Sequence, residues 1–285
     1  MSGPIAVTGA TGAVGSRVAA RLADAGAPMR LLVRDPARAR RHPGAEVRRI
    51  AGYGAGDDVR AALAGVETLF LVPAEESVDR VEQHRTAIEA AVAAGVRHLV
   101  YLSFVDARPD STFTLGRDHW ATEEIVRATG VAHTFARMNL YMDFIPSMVM
   151  PDGAIRGPAG EGRLAAILRD DVAAADAAIL TSTGHEGRAY ELTGPAAFSL
   201  AEAAELMTRL GDHPVRFEDE TDEQAYASRA GYGAPDWQVE AWVTTYHAIR
   251  DGSLERVSPH VRELTGRDPR SLEQHLRDGA DAKRR

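Results

Sequence analysis

The chain has 285 residues, 45% hydrophobic and 26% charged, with a formal net charge of −8 at pH 7; this allows one large core or a core with a smaller lobe, in an ordinary globular composition. The negative balance argues against a general nucleic-acid surface, in spite of the Arg-rich stretch from Arg34 to Arg41. The lack of cysteine excludes disulfides, thiolate zinc sites and cysteine nucleophiles, and no apolar run approaches the ~18 residues of a membrane helix.

In chain order, Ile5 to Thr8 reads as a short apolar strand. Gly9-Ala-Thr-Gly12-Ala-Val-Gly15 follows at once, ahead of the amphipathic positions Val14, Val18 and Leu22. Strand, glycine turn and helix in this order form the context that receives a dinucleotide pyrophosphate. The glycines permit a tight turn and close backbone approach, and the free N–H groups of a helix starting near Ala13 point at the anion. A nicotinamide cofactor is therefore expected, held at Gly9, Thr11, Gly12, Ala13, Val14 and Gly15, with Thr11 either bonding a phosphate or capping the helix. The N-terminus runs straight into this strand, so no signal peptide and a cytoplasmic location are expected.

The second strand, Met29 to Val33, ends at Arg34. An acidic residue there would accept from a ribose 2′-OH, whereas Arg34, with Arg38 one turn on, offers guanidinium donors to a 2′-phosphate. NADPH is expected over NADH; the alternative is a solvated Arg34, with Asp35 contacting the ribose of NADH. Val47 to Ile50 is a third strand, followed by Tyr53, which either stacks on an adenine or lies exposed. Thr68 to Val72 is a fourth, closed by Val72-Pro73-Ala74. Ser77 to Ala94 reads as a helix with Ser77 at its N-cap and Gly95 at its C-cap.

Leu99 to Leu102 forms a fifth strand, with Ser103 at its C-terminal edge, where ligands bind in open α/β sheets. In the next helix, Gly116 to Gly130, His119 and Glu123 stand four residues apart on one face. Ala132 to Ala136 is a sixth strand. This alternation predicts an α/β fold, a doubly wound parallel sheet of Rossmann type over residues 1–138. From 139 to 285 a smaller, mostly helical substrate lobe is expected. Its helices are predicted at Asp170 to Thr181, Ser199 to Leu210, Asp222 to Ala230 and Asp236 to Arg250, and a strand near 189–192 rejoins the sheet. Phe104, Trp120, Tyr141, Met142 and Phe144 would give an apolar, adaptable pocket for a flat conjugated ligand, unless they are simply core.

The single lysine, Lys283, lies in the charged C-terminal tail. No internal lysine exists for a Schiff base, a P-loop or a Tyr-x-x-x-Lys dyad, and arginine stays protonated. His119 is left as a proton donor or a hydrogen-bond donor to substrate, or as a surface histidine paired with Glu123. Asp118 and His119 alone do not make a metal site, so no metal is expected.

The chain resembles the NmrA-like group of atypical short-chain dehydrogenases, with its NADPH-dependent quinone, azo-dye and triphenylmethane reductases. The resemblance rests on Val7-Thr-Gly-Ala-Thr-Gly-Ala-Val-Gly15, Leu32-Val-Arg34, Leu99-Val-Tyr-Leu-Ser103, His119-Trp-Ala-Thr-Glu123, Gly130 to Arg137, Ile249-Arg-Asp-Gly252 and Leu264 to Pro269. It implies that the backbone at Val72 and Pro73 skirts the ribose and nicotinamide. It also implies that Ser103 stands where classical members place a catalytic serine, and that Asn139 touches the nicotinamide carboxamide or the substrate. Related chains often have Arg-Pro-Asn where this one has Arg137-Met138-Asn139, and an Asp near the adenine where this one has Ala51-Gly52-Tyr53.

On this reading the chain is an NADPH-dependent reductase passing hydride to a quinone, enone or azo-like compound, with Ser103, His119 and Asn139 positioning the acceptor. The missing dyad equally fits a non-catalytic NADP(H)-binding redox sensor or transcriptional co-regulator. An isomerase, epimerase or dehydratase is a third reading. A small-molecule partner is expected, with neither nucleic acid nor membrane, and the Ala-, Arg- and acid-rich C-terminal half serves either a homodimer interface or plain solvent.

Overall fold

The computed structural model describes the backbone of residues 3–283 and the side chains of residues 3–279; the side chain of Lys283 lies outside the described residues. The elements run β1 (Ile5–Val7), α1 (Gly15–Asp24), β2 (Met29–Val33), β3 (Ala45–Arg49), α2 (Gly56–Ala62), β4 (Thr68–Leu71), α3 (Arg80–Ala93), β5 (His98–Phe104), α4 (Thr114–Ala128) and β6 (Ala132–Met138). They continue with β7 (Ala154–Gly157), β8 (Arg163–Leu164), α5 (Arg169–Thr181), β9 (Arg188–Leu192), β10 (Phe198–Ser199), α6 (Leu200–Leu210), β11 (Arg216–Asp219), α7 (Asp222–Arg229), α8 (Asp236–Arg250), α9 (His260–Thr265) and α10 (Leu272–Lys283).

Two compact units divide the chain. The first takes the residues up to Ala107, Asp118–Met138 and Arg169–Glu191; the second takes Arg108–Arg117, Asn139–Leu168 and Leu192 onward. A single cut at residue 138 therefore does not separate them, because α5 and most of β9 belong with the first six strands.

In the first unit the sheet order is β3-β2-β1-β4-β5-β6-β9. The pairs from β3 to β6 are parallel, with Ile5 opposite both Met29 and Thr68, Thr68 opposite His98, and His98 opposite Ala132. β9 continues the direction of β6, since the Gly187 N–H donates to the His133 carbonyl and the Asn139 N–H to that of Leu192. Strands covered on both faces are largely apolar, and β5 is buried at every residue from Leu99 to Phe104, Ser103 included. The edge strand β3 carries exposed Arg48 and Arg49, charges that discourage pairing with another chain. Sheet order reverses at β1, with β2 on one side and β4 on the other, which opens a crevice at the C-terminal strand ends.

Several boundaries depart from the sequence reading. α1 starts at Gly15 rather than near Ala13, because residues 10–14 are used by the glycine turn. α3 starts at Arg80 after Asp79, so Asp79 and not Ser77 is its N-cap residue. β5 and β6 each run two residues past the last strictly apolar position of the prediction and end at Phe104 and Met138. α2 was not foreseen; its seven residues bury only Val59 and Ala62 and leave little periodic signal.

The second unit is helical but also holds two small sheets. β7 and β11 pair in parallel, Arg216 opposite Ala154, while β8 and β10 pair antiparallel, Phe198 opposite Leu164. α6 begins with a capping box in which the Ser199 hydroxyl accepts from the Glu202 N–H and the Glu202 carboxylate from the Ser199 N–H.

Candidate functional site

The glycine turn is closed by the Gly12 N–H donating to the Gly9 carbonyl at 2.8 Å. Gly9 has φ +58°, and a Cβ there would stand 3.0 Å from that of Val72. A Cβ on Gly15 would meet the Gly9 carbonyl oxygen at 2.3 Å, so α1 starts in contact with the turn only because that residue has no side chain. The N–H groups of Thr11, Ala13 and Val14 have no acceptor among the described residues. α1 has no side-chain N-cap and no acidic residue in its first turn. Its positive end is thus uncompensated among the described residues, which is the chemistry that receives a phosphate.

Beside the turn lies a cleft of about 450 Å³ whose wall includes six of the residues expected at the cofactor, Gly9, Thr11, Gly12, Arg34, Val72 and Pro73. Ala13, Val14 and Gly15 form the turn and helix start behind that wall, and Arg38 is exposed on the short 3₁₀ turn Pro36–Arg38. Sequence reasoning missed Ile50, Glu75, Glu76, Ser77 and Gln83 as lining residues. The available signal was the abrupt change to polar residues after the apolar run of β4.

The wall at Val72–Ala74 is pinned. The Thr8 hydroxyl donates to the Phe70 carbonyl (3.2 Å) and accepts from the Val72 N–H (2.8 Å), tying β1 to the end of β4. Tyr53 donates to the Val72 carbonyl at 2.6 Å, and burial raises the pKa of its phenol. Ala74 donates its N–H to His84 Nε2 (2.8 Å) and accepts from Arg80 Nε (3.2 Å). Because His84 Nε2 accepts, its Nδ1 carries the proton and donates to Thr122 Oγ1 at 2.8 Å. Burial, helped by Arg80, pushes the His84 pKa down to about 3.

Arg34 and Glu75 stand on opposite sides of β1, after β2 and β4 respectively, and form an ion pair of 2.8 Å with a second contact at 3.4 Å. Asp35, the other candidate for a ribose contact, instead accepts from the Ala37 N–H at 2.9 Å.

The predicted catalytic residues lie deeper. Ser103 is fully buried, and its hydroxyl donates to Glu123 Oε1 at 2.6 Å. Glu123 also accepts from Arg137 (2.8 and 2.5 Å) and Arg127 (2.8 Å). His119 is 3% exposed; its Nδ1 lies 3.0 Å from the Tyr101 hydroxyl, and Arg80 Nη2 lies 3.5 Å from its Nε2. An arginine can only donate, so Nε2 accepts and the Nδ1–H donates to Tyr101. Burial first, then the charge of Arg80, lowers the His119 pKa and keeps the ring neutral. The expectation of a proton donor near neutral pH is thereby corrected, and so is the surface pairing with Glu123. The two side chains share a helix face but take different partners, His119 going to Tyr101 and Glu123 to Ser103 and two arginines.

Of the predicted acceptor pocket, Phe104 is buried and stacks on His119 with ring centroids 6.0 Å apart, and Trp120 is half-buried. In the second unit Tyr141 is half-buried, Phe144 is exposed, and Met142 is fully buried beside a separate groove of about 340 Å³. Asn139 has both ends of its amide engaged: Nδ2 donates to the Leu254 carbonyl (3.0 Å) and Oδ1 accepts from the Leu140 N–H (2.7 Å).

Comparison with known proteins gives a consistent kinship. A (4-alkanoyl-5-oxo-2,5-dihydrofuran-3-yl)methyl phosphate reductase of Streptomyces griseus is 40% identical, covering 98% of each chain. An NAD(P)H azoreductase of Xenophilus azovorans is 34% identical over the same shares. The NADPH complex of an NADPH-dependent quinone oxidoreductase from Escherichia coli superposes with a TM-score of 0.88 at 31% identity, covering 95% of this chain and 98% of that one. With the model of the NmrA-like family matching residues 1–248, the chain belongs to that family.

Proposed function

We propose that this protein is an NADPH-dependent reductase that delivers hydride to a flat, electron-poor conjugated small molecule of the quinone, enone or azo class. The broader class, an NAD(P)H-dependent oxidoreductase, rests on the reductase relatives that span nearly the whole chain. The observation that carries the reading is the cleft, beside which the N–H groups of Thr11, Ala13 and Val14, without acceptors among the described residues, meet an uncapped helix start at the sheet's switch point. These residues fit a dinucleotide: the turn and α1 would hold the pyrophosphate, Arg34 a 2′-phosphate, and the pinned Val72–Ala74 segment would form a rigid side wall.

When bound, the reduced nicotinamide supplies a hydride from its C4. The chain's part is to bind, orient and exclude water, because its acid–base equipment is sparse. The only lysine is in the tail, His119 is held neutral, and the Ser103 proton is committed to Glu123. Such a site suits acceptors whose reduction leaves a delocalised anion. In the dihydrofuranone named for the Streptomyces relative, one alkene carbon bears both the alkanoyl and the ring carbonyl, so addition at the other carbon leaves an anion shared by two carbonyls. A quinone gives an equally stabilised product, and positioning supplies most of the acceleration.

The test is anaerobic NADPH consumption by the purified protein with quinones, conjugated enones and azo compounds, with NADH in parallel. Turnover faster with NADPH than with NADH is the expected result. Tight NADPH binding without consumption by any acceptor would overturn it in favour of a cofactor sensor, which the burial of Ser103 and His119 supports as the second reading.

A further inference from the structure

We infer that Glu75 is a specificity-determining residue that competes with the cofactor's 2′-phosphate for the Arg34 guanidinium. This rests on the nucleotide reading of the cleft. Arg34 immediately follows β2 and Glu75 follows β4, and β1 lies between those strands, so the pair reaches across the end of β1 beside the glycine turn. Both residues line the cleft. Contacts of 2.8 and 3.4 Å from two guanidinium nitrogens to two carboxylate oxygens make a fork, the same geometry a phosphate would ask of Arg34. Each partner shifts the other as an ion pair does, raising the arginine pKa and lowering that of the glutamate.

The fork is therefore occupied before any ligand arrives. A 2′-phosphate, with a charge near −2 at neutral pH, must displace a monoanionic carboxylate and leave Glu75 facing like charge. A bare ribose asks for neither: its 2′-OH can donate to Glu75 while the ion pair stays closed. Asp35 does not take this part, because its carboxylate caps the following 3₁₀ turn. Arg34 thus favours the phosphorylated cofactor while Glu75 limits that preference. Both side chains are well exposed, 65% and 79%, so exchange between partners needs no rearrangement of the core.

The experiment uses the full-length protein and two nicotinamide-free probes, 2′,5′-ADP and 5′-AMP, titrated calorimetrically. Glu75→Gln is expected to raise the ratio of 2′,5′-ADP to 5′-AMP affinity about fivefold, the scale set by releasing an exposed ion pair. Arg34→Gln is expected to lower the ratio at least tenfold, a bidentate phosphate contact being stronger. In the Arg34→Gln background, Glu75→Gln should raise the ratio by less than twofold, because its competitor's target is gone. A ratio unchanged by Glu75→Gln, or an equal rise in both backgrounds, would overturn the inference. Turnover is measured separately: a shifted ratio without turnover overturns the reductase reading and keeps this one, and turnover with an unshifted ratio does the reverse.

Discussion

Helices α4 and α5 each bury a carboxyl in the first unit, and the surroundings of the two are opposite. Glu123 on α4 collects the Ser103 hydroxyl and donors from Arg127 and Arg137, which ties the helix to the ends of β5 and β6. Asp176 on α5, the helix packed on α1, is equally buried, yet neither of its oxygens has a hydrogen-bond partner among the described residues. Burial raises its pKa well above the usual carboxyl range and so favours its protonated form. A buried carboxyl is therefore a structural tie when donors converge on it and a liability when none do.

Breaking the satisfied site should have the largest effect. Glu123→Ala strands two arginines and a serine, and is expected to cost about 3 kcal/mol in urea unfolding; a loss of a few tenths would mean that the cluster does not bind α4 to the sheet. His84 supplies a second fully engaged group of opposite titration sign. Its native pKa lies near 3 against an ordinary 6.5, so as pH falls below 6.5 the unfolded chain takes up a proton that the native state refuses. Wild type should lose about 2 kcal/mol on going from pH 7 to pH 5 by this route, and His84→Gln should abolish that share of the decline.

Removing the ionisable group from the unsatisfied site should stabilise. As pH rises above the ordinary Asp range, the unfolded chain releases the Asp176 proton while the native state keeps it, so native stability falls with pH until the raised pKa is passed. Asp176→Asn, which removes the titration while leaving the site polar, is expected to gain about 1–2 kcal/mol at pH 7 and nothing at pH 3, read from paired melts. The smallest effect belongs to a carboxylate left in solvent. Glu202→Gln weakens a capping box and an exposed pair with Arg163 and should cost about 0.5 kcal/mol.

The same contrast marks what could be read from the residues alone. Strand–turn–helix periodicity exposes β1, the Gly9–Gly15 turn and the alternation of the sheet, because each is local in sequence. The strand near 189–192 was also legible, from apolar residues between turn signals. The four-residue spacing of His119 and Glu123 correctly places them on one helix face, but spacing cannot say which strand residues they meet. Tyr101 and Ser103 lie two apart on β5 and receive one each, and Arg137 comes from β6. Glu75 was invisible for the same reason: it is forty-one residues from Arg34, and only the order of β2, β1 and β4 brings them together.

The chain passes between its two compact units after Ala107, Arg117, Met138, Leu168 and Glu191. During synthesis, then, the first unit is complete only after two segments of the second have emerged, and before the stretch from Leu192 onward follows. The nascent sheet emerges with β6 as an open edge, uncovered until β9 has been translated. That edge is open from the moment residue 138 leaves the exit tunnel until residue 192 follows it.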